Sequence, residues 1–153
     1  MDKTGEKTIE VLNDLILINS DRSTAYEKAM RQIGSIDVEL FQTFKTFAAE
    51  SHKYLYELAG HLDPSGQELL KGIPTTNGKI YAAWENAKTI FNEKDRQALL
   101  VSSEICEKAI QKAYDEALNV EIPEEIKQII AEQRNDLGKA FDRISKLHEV
   151  QQA

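Results

Sequence analysis

TIEVLNDLILINSDRSTAYEKAMRQI, residues 8–33, reads as one uninterrupted amphipathic helix around which the rest of the chain is organised. Leu12, Leu15, Asn19, Arg22, Tyr26, Ala29 and Ile33 recur at alternating three- and four-residue steps, so they share one stripe. Val11, Ile18 and Ala25 widen it. At about 1.5 Å per residue the helix is roughly 40 Å long, and such a stripe needs partners of similar length to cover it. Residues 15–18 are apolar in every direction, because four consecutive side chains sweep about 300° at ~100° each. The core stripe cannot take them all. Ile16 and Leu17 are expected to need a further cover, either a segment carrying Trp84 and Phe91 or a second copy of the chain. The second copy is preferred, which makes a homo-oligomer, a dimer in the simplest case, the expected state.

Three partner helices follow. Gly34 and Ser35 break the first pattern and Asp37 can cap a second helix. That helix, about 36–62, carries Phe41, Phe44, Ala48, Ser51, Leu55, Leu58 and Leu62 inward. Two residues between helices make an antiparallel hairpin. Asp95 can cap a third, about 95–119, with Leu99, Cys106, Ala109, Ile110, Ala113, Tyr114 and Ala117 inside. Pro123 suits the first turn of a fourth, about 123–149. Its stripe is Ile126, Ile130, Gln133, Leu137, Ala140, Ile144 and Leu147.

The 33 residues 63–95 are too many for a simple hairpin turn, which takes about 2–8. They hold Pro64, Gly66, Gly72, Pro74 and Gly78, then a short helix at about 78–91 with Ile80, Trp84, Ala87 and Phe91 on one side. A connection of this length can travel the length of the bundle. The expected fold is therefore all-α, one domain over residues 1–153. It is a four-helix bundle running up-down-down-up with a long crossover, as in ferritin-like bundles. One six-residue echo fits an internal duplication: AYEKAM at 25–30 against AYDEAL at 113–118.

Composition agrees. Only 3 prolines and 7 glycines stand among 153 residues, and Ala, Glu, Lys, Gln and Leu abound. A net charge of −7 without a basic stripe speaks against nucleic acid as a partner. The apolar run at residues 15–18 is far short of a membrane span. MDKTGEKTIE at the start has no apolar signal region, and the single Cys106 cannot form an internal disulfide. A cytoplasmic location is expected.

The run Val11-Leu12-Asn13-Asp14-Leu15-Ile16, then Asp21, then Tyr26-Glu27-Lys28-Ala29, resembles the opening of a bacterial ferritin-like four-helix-bundle family catalogued as a domain of unknown function. Glu57-Leu58, Glu104 and Glu107 ahead of Lys112-Ala113-Tyr114, and Ile122-Pro123 fit the same pattern. The resemblance implies the ferritin-like fold and no established reaction. It also implies a His before Asp142, where this chain has Phe141.

The sharpest chemistry for such a bundle is a carboxylate-bridged di-metal centre. That centre takes one inward Glu from each of two helices and a Glu-x-x-His from each of the other two. Candidate ligands are Glu27, Glu57, Glu104 and Glu107, for iron or manganese. The pattern is incomplete: Glu57 and His61 are four apart, and Ser145 stands three before His148. No cofactor or metal is therefore expected, and no catalytic residue is assigned. Glu50, Tyr54, Glu57 and His61 read as a solvated flank, His52 as surface and Cys106 as inert packing.

A different feature crosses the middle of the bundle. Each long helix interrupts its apolar stripe near its midpoint, with Asn19 and Arg22, Ser51, Ser103 and Glu107, and Gln133. These are expected to come level as a polar layer. Arg22 and Glu107 should pair inside it, with Asn19 and Gln133 supplying the remaining hydrogen bonds. The function expected is a non-enzymatic structural or stress-related role. The alternatives are a metal-binding or oxidative enzyme on the same bundle and a module that presents a helix face to a partner.

Overall fold

The structure is a computed structural model that describes residues 3–35, 37–62, 78–87 and 95–152. Among these, five helices and no strands occur: α1 Lys3–Ile33, α2 Val38–Ala59, α3 Lys79–Ala87, α4 Arg96–Leu118 and α5 Glu124–Gln152. Residues 63–77 and 88–94 lie outside the described residues, and with them Pro64, Gly66, Gly72, Pro74 and Phe91. None of the helices is long and apolar enough to cross a membrane.

The helix ends follow local chemistry. Gly34 takes φ +57°, a left-handed conformation that costs glycine little, and its N–H caps the Met30 carbonyl at 2.9 Å. Asp37 accepts from the Leu40 N–H at 3.0 Å and Asp95 from the Ala98 N–H at 3.1 Å, each as an N-cap. Pro123 stands one place before α5, where its carbonyl accepts from Lys127. α2 stops at Ala59 instead of running to 62. The N–H groups of His61 and Leu62 bond three residues back, to Leu58 and Ala59, so the last turn tightens.

Contacts between side chains give the directions. Tyr26 packs on Phe44 and Phe47 while Asn19 reaches Ser51, so α1 and α2 run antiparallel. Tyr114 meets Gln133 and Glu104 meets His148, so α4 and α5 do too. Across the hairpins, Arg22 meets Glu107 and Asn19 meets Tyr114, which makes α1 and α4 antiparallel. α2 and α4 therefore point the same way, and their starting turns are joined by an ion pair between Asp37 and Arg96. Each hairpin is packed closely along its length, whereas the α1–α4 and α2–α5 seams bring backbones together over shorter stretches.

The core runs the length of these four helices, and α2 presents a different edge to it than the three-four stripe predicted. Phe47 and Tyr54 are fully inside, whereas Phe41 and Leu55 are only partly covered. The reason is that α2 has neighbours on both flanks, α1 and α5, so its buried arc is wider than one row of side chains.

α3 packs on both α1 and α4. Two aspartates of α1, Asp14 and Asp21, about two turns apart, hold it. Asp14 accepts from the backbone N–H of Gly78 at 2.9 Å and of Tyr81 at 3.2 Å. It thus caps from another helix the orphan donors at the start of α3. Asp21 accepts from the Tyr81 hydroxyl at 2.8 Å and from the Trp84 indole N–H at 3.1 Å. Because Gly78 sits by Asp14 and Trp84 by Asp21, α3 runs parallel to α1. Ile16 is 6% exposed and Leu17 is packed partly against the core. The ridge at 15–18 is thus covered to a large extent within one chain, which removes the reason for invoking a second copy there.

Gly78 is needed where it stands. A Cβ on it would collide with the Asp14 carboxylate and with the Glu10 side chain. Glu10 is exposed and can swing away, but Asp14 is pinned by the two N–H groups it caps. Gly78→Ala is expected to destabilise by about 1–3 kcal/mol, the cost of a buried acceptor losing its donors. Urea melts measure this, and an unchanged midpoint would show that α3 does not seat so closely.

Candidate functional site

Midway along the bundle a continuous hydrogen-bonded chain links all four long helices. At its centre is the ion pair of Arg22 and Glu107, both with fully buried side chains. Arg22 Nε donates to Glu107 Oε2 at 2.9 Å and Nη2 donates to Oε1 at 2.8 Å, a two-pronged geometry that fixes both planes. Arg22 Nη1 donates to the Phe47 carbonyl at 3.2 Å and to Ser51 Oγ at 2.9 Å. Tyr26 donates its hydroxyl to Glu107 Oε2 at 2.7 Å.

The chain continues outward from Ser51, whose hydroxyl donates to Asn19 Oδ1 at 3.0 Å. Asn19 Nδ2 donates to the Leu15 carbonyl and to the Tyr114 oxygen, both at 2.9 Å. Tyr114 donates to Gln133 Oε1 at 2.6 Å. Gln133 Nε2 ends the chain on the Tyr54 carbonyl at 3.3 Å and on Glu57 at 3.4 Å.

Electrostatics follow from that closure. Burial works against the charge on Arg22, and the Glu107 carboxylate more than offsets it, so the guanidinium pKa rises above its ordinary value. Burial and then the Glu107 charge push the Tyr26 hydroxyl well above its usual range, which keeps it a donor. Burial raises Tyr114 too. The guanidinium also lies 5.3 Å from the Tyr26 ring centroid and 5.1 Å from that of Phe47, adding cation–π contact.

Of the six residues expected in the layer, Asn19, Arg22, Ser51, Glu107 and Gln133 are joined by this chain. Ser103 is not among its links: it is buried but donates to the Leu99 carbonyl of its own helix at 2.8 Å. The partners of the ion pair also differ from expectation. Tyr26, Ser51 and the Phe47 carbonyl bond it directly, while Asn19 and Gln133 act one step and three steps further out. In the sequence Tyr26 and Tyr114 stand on apolar stripes. The signal was there in their hydroxyls, since a buried tyrosine O–H needs a partner. They are also the two tyrosines of the six-residue echo.

The four candidate metal ligands do not share a place. Glu107 is committed to Arg22 and Tyr26. Glu27 faces Ser23 and His52 at the surface, each at 3.3 Å. Glu57 is exposed at the far end of the hydrogen-bonded chain. Glu104 pairs with His148 Nδ1 at 2.6 Å on the α4–α5 seam. These four therefore form no carboxylate set, and among the described residues no three His, Cys, Asp or Glu side chains converge where they could hold a metal ion. The flank Glu50, Tyr54, Glu57 and His61 is not solvated throughout: Tyr54 is 3% exposed and Glu50 reaches toward Arg22. His52 is exposed and Cys106 is buried.

Residues 7–120 match the model of a protein family described as a domain of unknown function, DUF2383. No curated protein and no solved structure matches the chain. The matched stretch runs from the first turns of α1 past the end of α4. It holds Asn19, Arg22, Tyr26, Ser51, Glu107 and Tyr114, leaving only the Gln133 end of the layer outside. With most of its length matched in this way, the chain belongs to the DUF2383 family.

Proposed function

We propose that this protein is a non-catalytic structural protein, a ferritin-like up-down-down-up bundle without a resident metal, in which the polar layer fixes the register of the four helices. The observation that carries this reading is the closed Arg22–Glu107 pair. In di-metal bundles the inward carboxylates of facing helices hold cations at the core. Here the inward carboxylate is held by an arginine of the chain itself, and the neighbouring polar atoms are taken by Tyr26, Ser51 and Asn19. A layer that pairs residues only in one alignment specifies register, the best-attested role of buried polar groups.

The same reading includes assembly with further copies of the chain. It draws support from Val101 and Ile105, four apart on α4 and about 40% exposed each. A cytoplasmic setting fits a buried Cys106 that, as the single cysteine, forms no internal disulfide.

The test is metal analysis combined with light scattering on protein purified without added chelator. Expected are no stoichiometric iron, manganese or zinc, and a mass that is a multiple of 17.3 kDa. About two metal ions per chain retained through gel filtration, the stoichiometry of a di-metal site, would favour the metal-binding alternative. A mass of one chain would remove the assembly.

A further inference from the structure

Glu50 precedes Ser51 on α2 and stands at the edge of the polar layer. Its Oε1 is closed off from solvent and makes no hydrogen bond. That oxygen lies 3.9 Å from Arg22 Nη2, while the rest of the side chain is one-third exposed, at 33%. At 3.9 Å the two atoms are an ion pair without a hydrogen bond. Arg22 has five N–H donors. Four are spent on Glu107, Phe47 and Ser51, and the one left over is on Nη2, the nitrogen nearest Glu50. One guanidinium thus stands between two carboxyl groups, with one donor still to give.

The groups around Glu50 come from every neighbouring helix. Arg22 faces it from α1, Glu107 from α4, and Asp136 and Arg143 from α5. Tyr54 is its neighbour on α2, and Lys45 and Lys53 line the same shallow surface hollow on the outer side. Arg22 and Arg143 favour its charge, and Glu107 and Asp136 oppose it. Burial outweighs each of them, so the Glu50 pKa lies above the ordinary carboxyl value.

The seam beside it is the thinnest of the four around the bundle. α2 and α5 approach over the shortest stretch. Gln133, with its bonds to the Tyr54 carbonyl and Glu57, ties them together one to two turns from Glu50.

We propose that Glu50 is a proton-operated latch on the α2–α5 seam. With Glu50 protonated, Arg22 and Glu107 balance one another and the seam is closed. With Glu50 ionised, two carboxylates compete for one guanidinium. The rigid guanidinium tilts to bring its spare N–H to Glu50, which lengthens its bonds to Glu107 and Ser51, and the seam loosens. No bond is made or broken except to the proton, which passes to solvent through the exposed part of the side chain. The sign is fixed by linkage. A carboxyl whose folded pKa exceeds its unfolded one stabilises the closed form fully below the unfolded pKa, and that stabilisation is lost as pH rises through the folded pKa.

The experiment is an NMR titration of the Glu50 carboxyl in the full chain, with amide hydrogen exchange along α2 and α5. Wild type, Glu50→Gln and Glu50→Asp are compared at the same pH, so that intrinsic exchange cancels. Glu50 should titrate above the ordinary value of about 4.3. Above its midpoint, wild-type amides near residues 51–57 and 130–137 should exchange faster than those of Glu50→Gln. The excess is roughly ten-fold for each pH unit by which the midpoint exceeds that of the opened state. Below the opened-state value of about 4.3 the two should coincide, and Glu50→Asp should keep the pH dependence that Glu50→Gln loses. Titration at the ordinary value, or equal exchange in wild type and Glu50→Gln at every pH, would overturn the latch.

Discussion

Glu107→Ala is expected to destabilise the protein by roughly 3–5 kcal/mol, the range for removing one member of a buried ion pair. The loss comes less from the missing attraction than from what is left behind. Arg22 would keep its charge at zero exposure with two further donors unmet, and Tyr26 would lose its acceptor. Arg22→Ala should cost a similar amount, because it strands the Glu107 carboxylate. The double mutant should cost far less than the sum, since it removes both charges at once. Denaturant melts of the two single variants and the double variant give the coupling energy directly. A pair at the rim would give losses of about 0–1 kcal/mol that simply add, and that result would contradict a closed layer. Replacing both residues by apolar side chains of like volume should be close to neutral. That combination separates the energetic role of the pair from its role in setting register.

Trp84→Ala should follow closely, at roughly 3–5 kcal/mol. Trp84 is only 2% exposed on a helix that packs on both α1 and α4, so truncation opens a large cavity. It also removes the indole donor to Asp21. α3 is 9 residues long, too short to hold its shape unaided, since isolated helices below about 12–15 residues are marginal in water. Its order depends on the two aspartates of α1 and on this ring. Trp84→Phe keeps most of the volume and loses the Asp21 bond, so a loss nearer 1–2 kcal/mol is expected. Circular dichroism melts measure both. Because Trp84 is the single tryptophan, the fluorescence of wild type reports the docking of α3 alone. A Trp84→Ala loss under 1 kcal/mol would mean that α3 adds little to the stability of the four long helices.

The long helices could be read from the chain because burial along a helix leaves a periodic record. The polar members of the layer were legible for the same reason, as Asn19, Arg22, Ser51, Glu107 and Gln133 each break an apolar stripe. The hydroxyls of Tyr26 and Tyr114 left no such mark, because a tyrosine ring is apolar enough to continue the stripe. Ser103 broke a stripe yet bonds its own backbone, an outcome open to any serine inside a helix. Glu50 and Tyr54 looked like a solvated flank because period alone does not say how wide a buried arc is. Asp14 and Asp21 were opaque in a different way. Their partners lie 60 or more residues away on α3, and the path of the crossover decides which face of α1 it meets. Sequence spacing within α1 carries no record of that path.

The directions of the helices place constraints on how the chain can be rewired. α1 and α5 point the same way, so the first turn of one and the last turn of the other lie at opposite poles. α5 has 29 residues and spans about 43 Å at 1.5 Å per residue. An extended chain covers at most about 3.6 Å per residue, so a tether closing the two poles into a circular permutant needs at least about 12 residues. Tags fused to the two poles would be held roughly 40 Å apart, as a rigid spacer holds them.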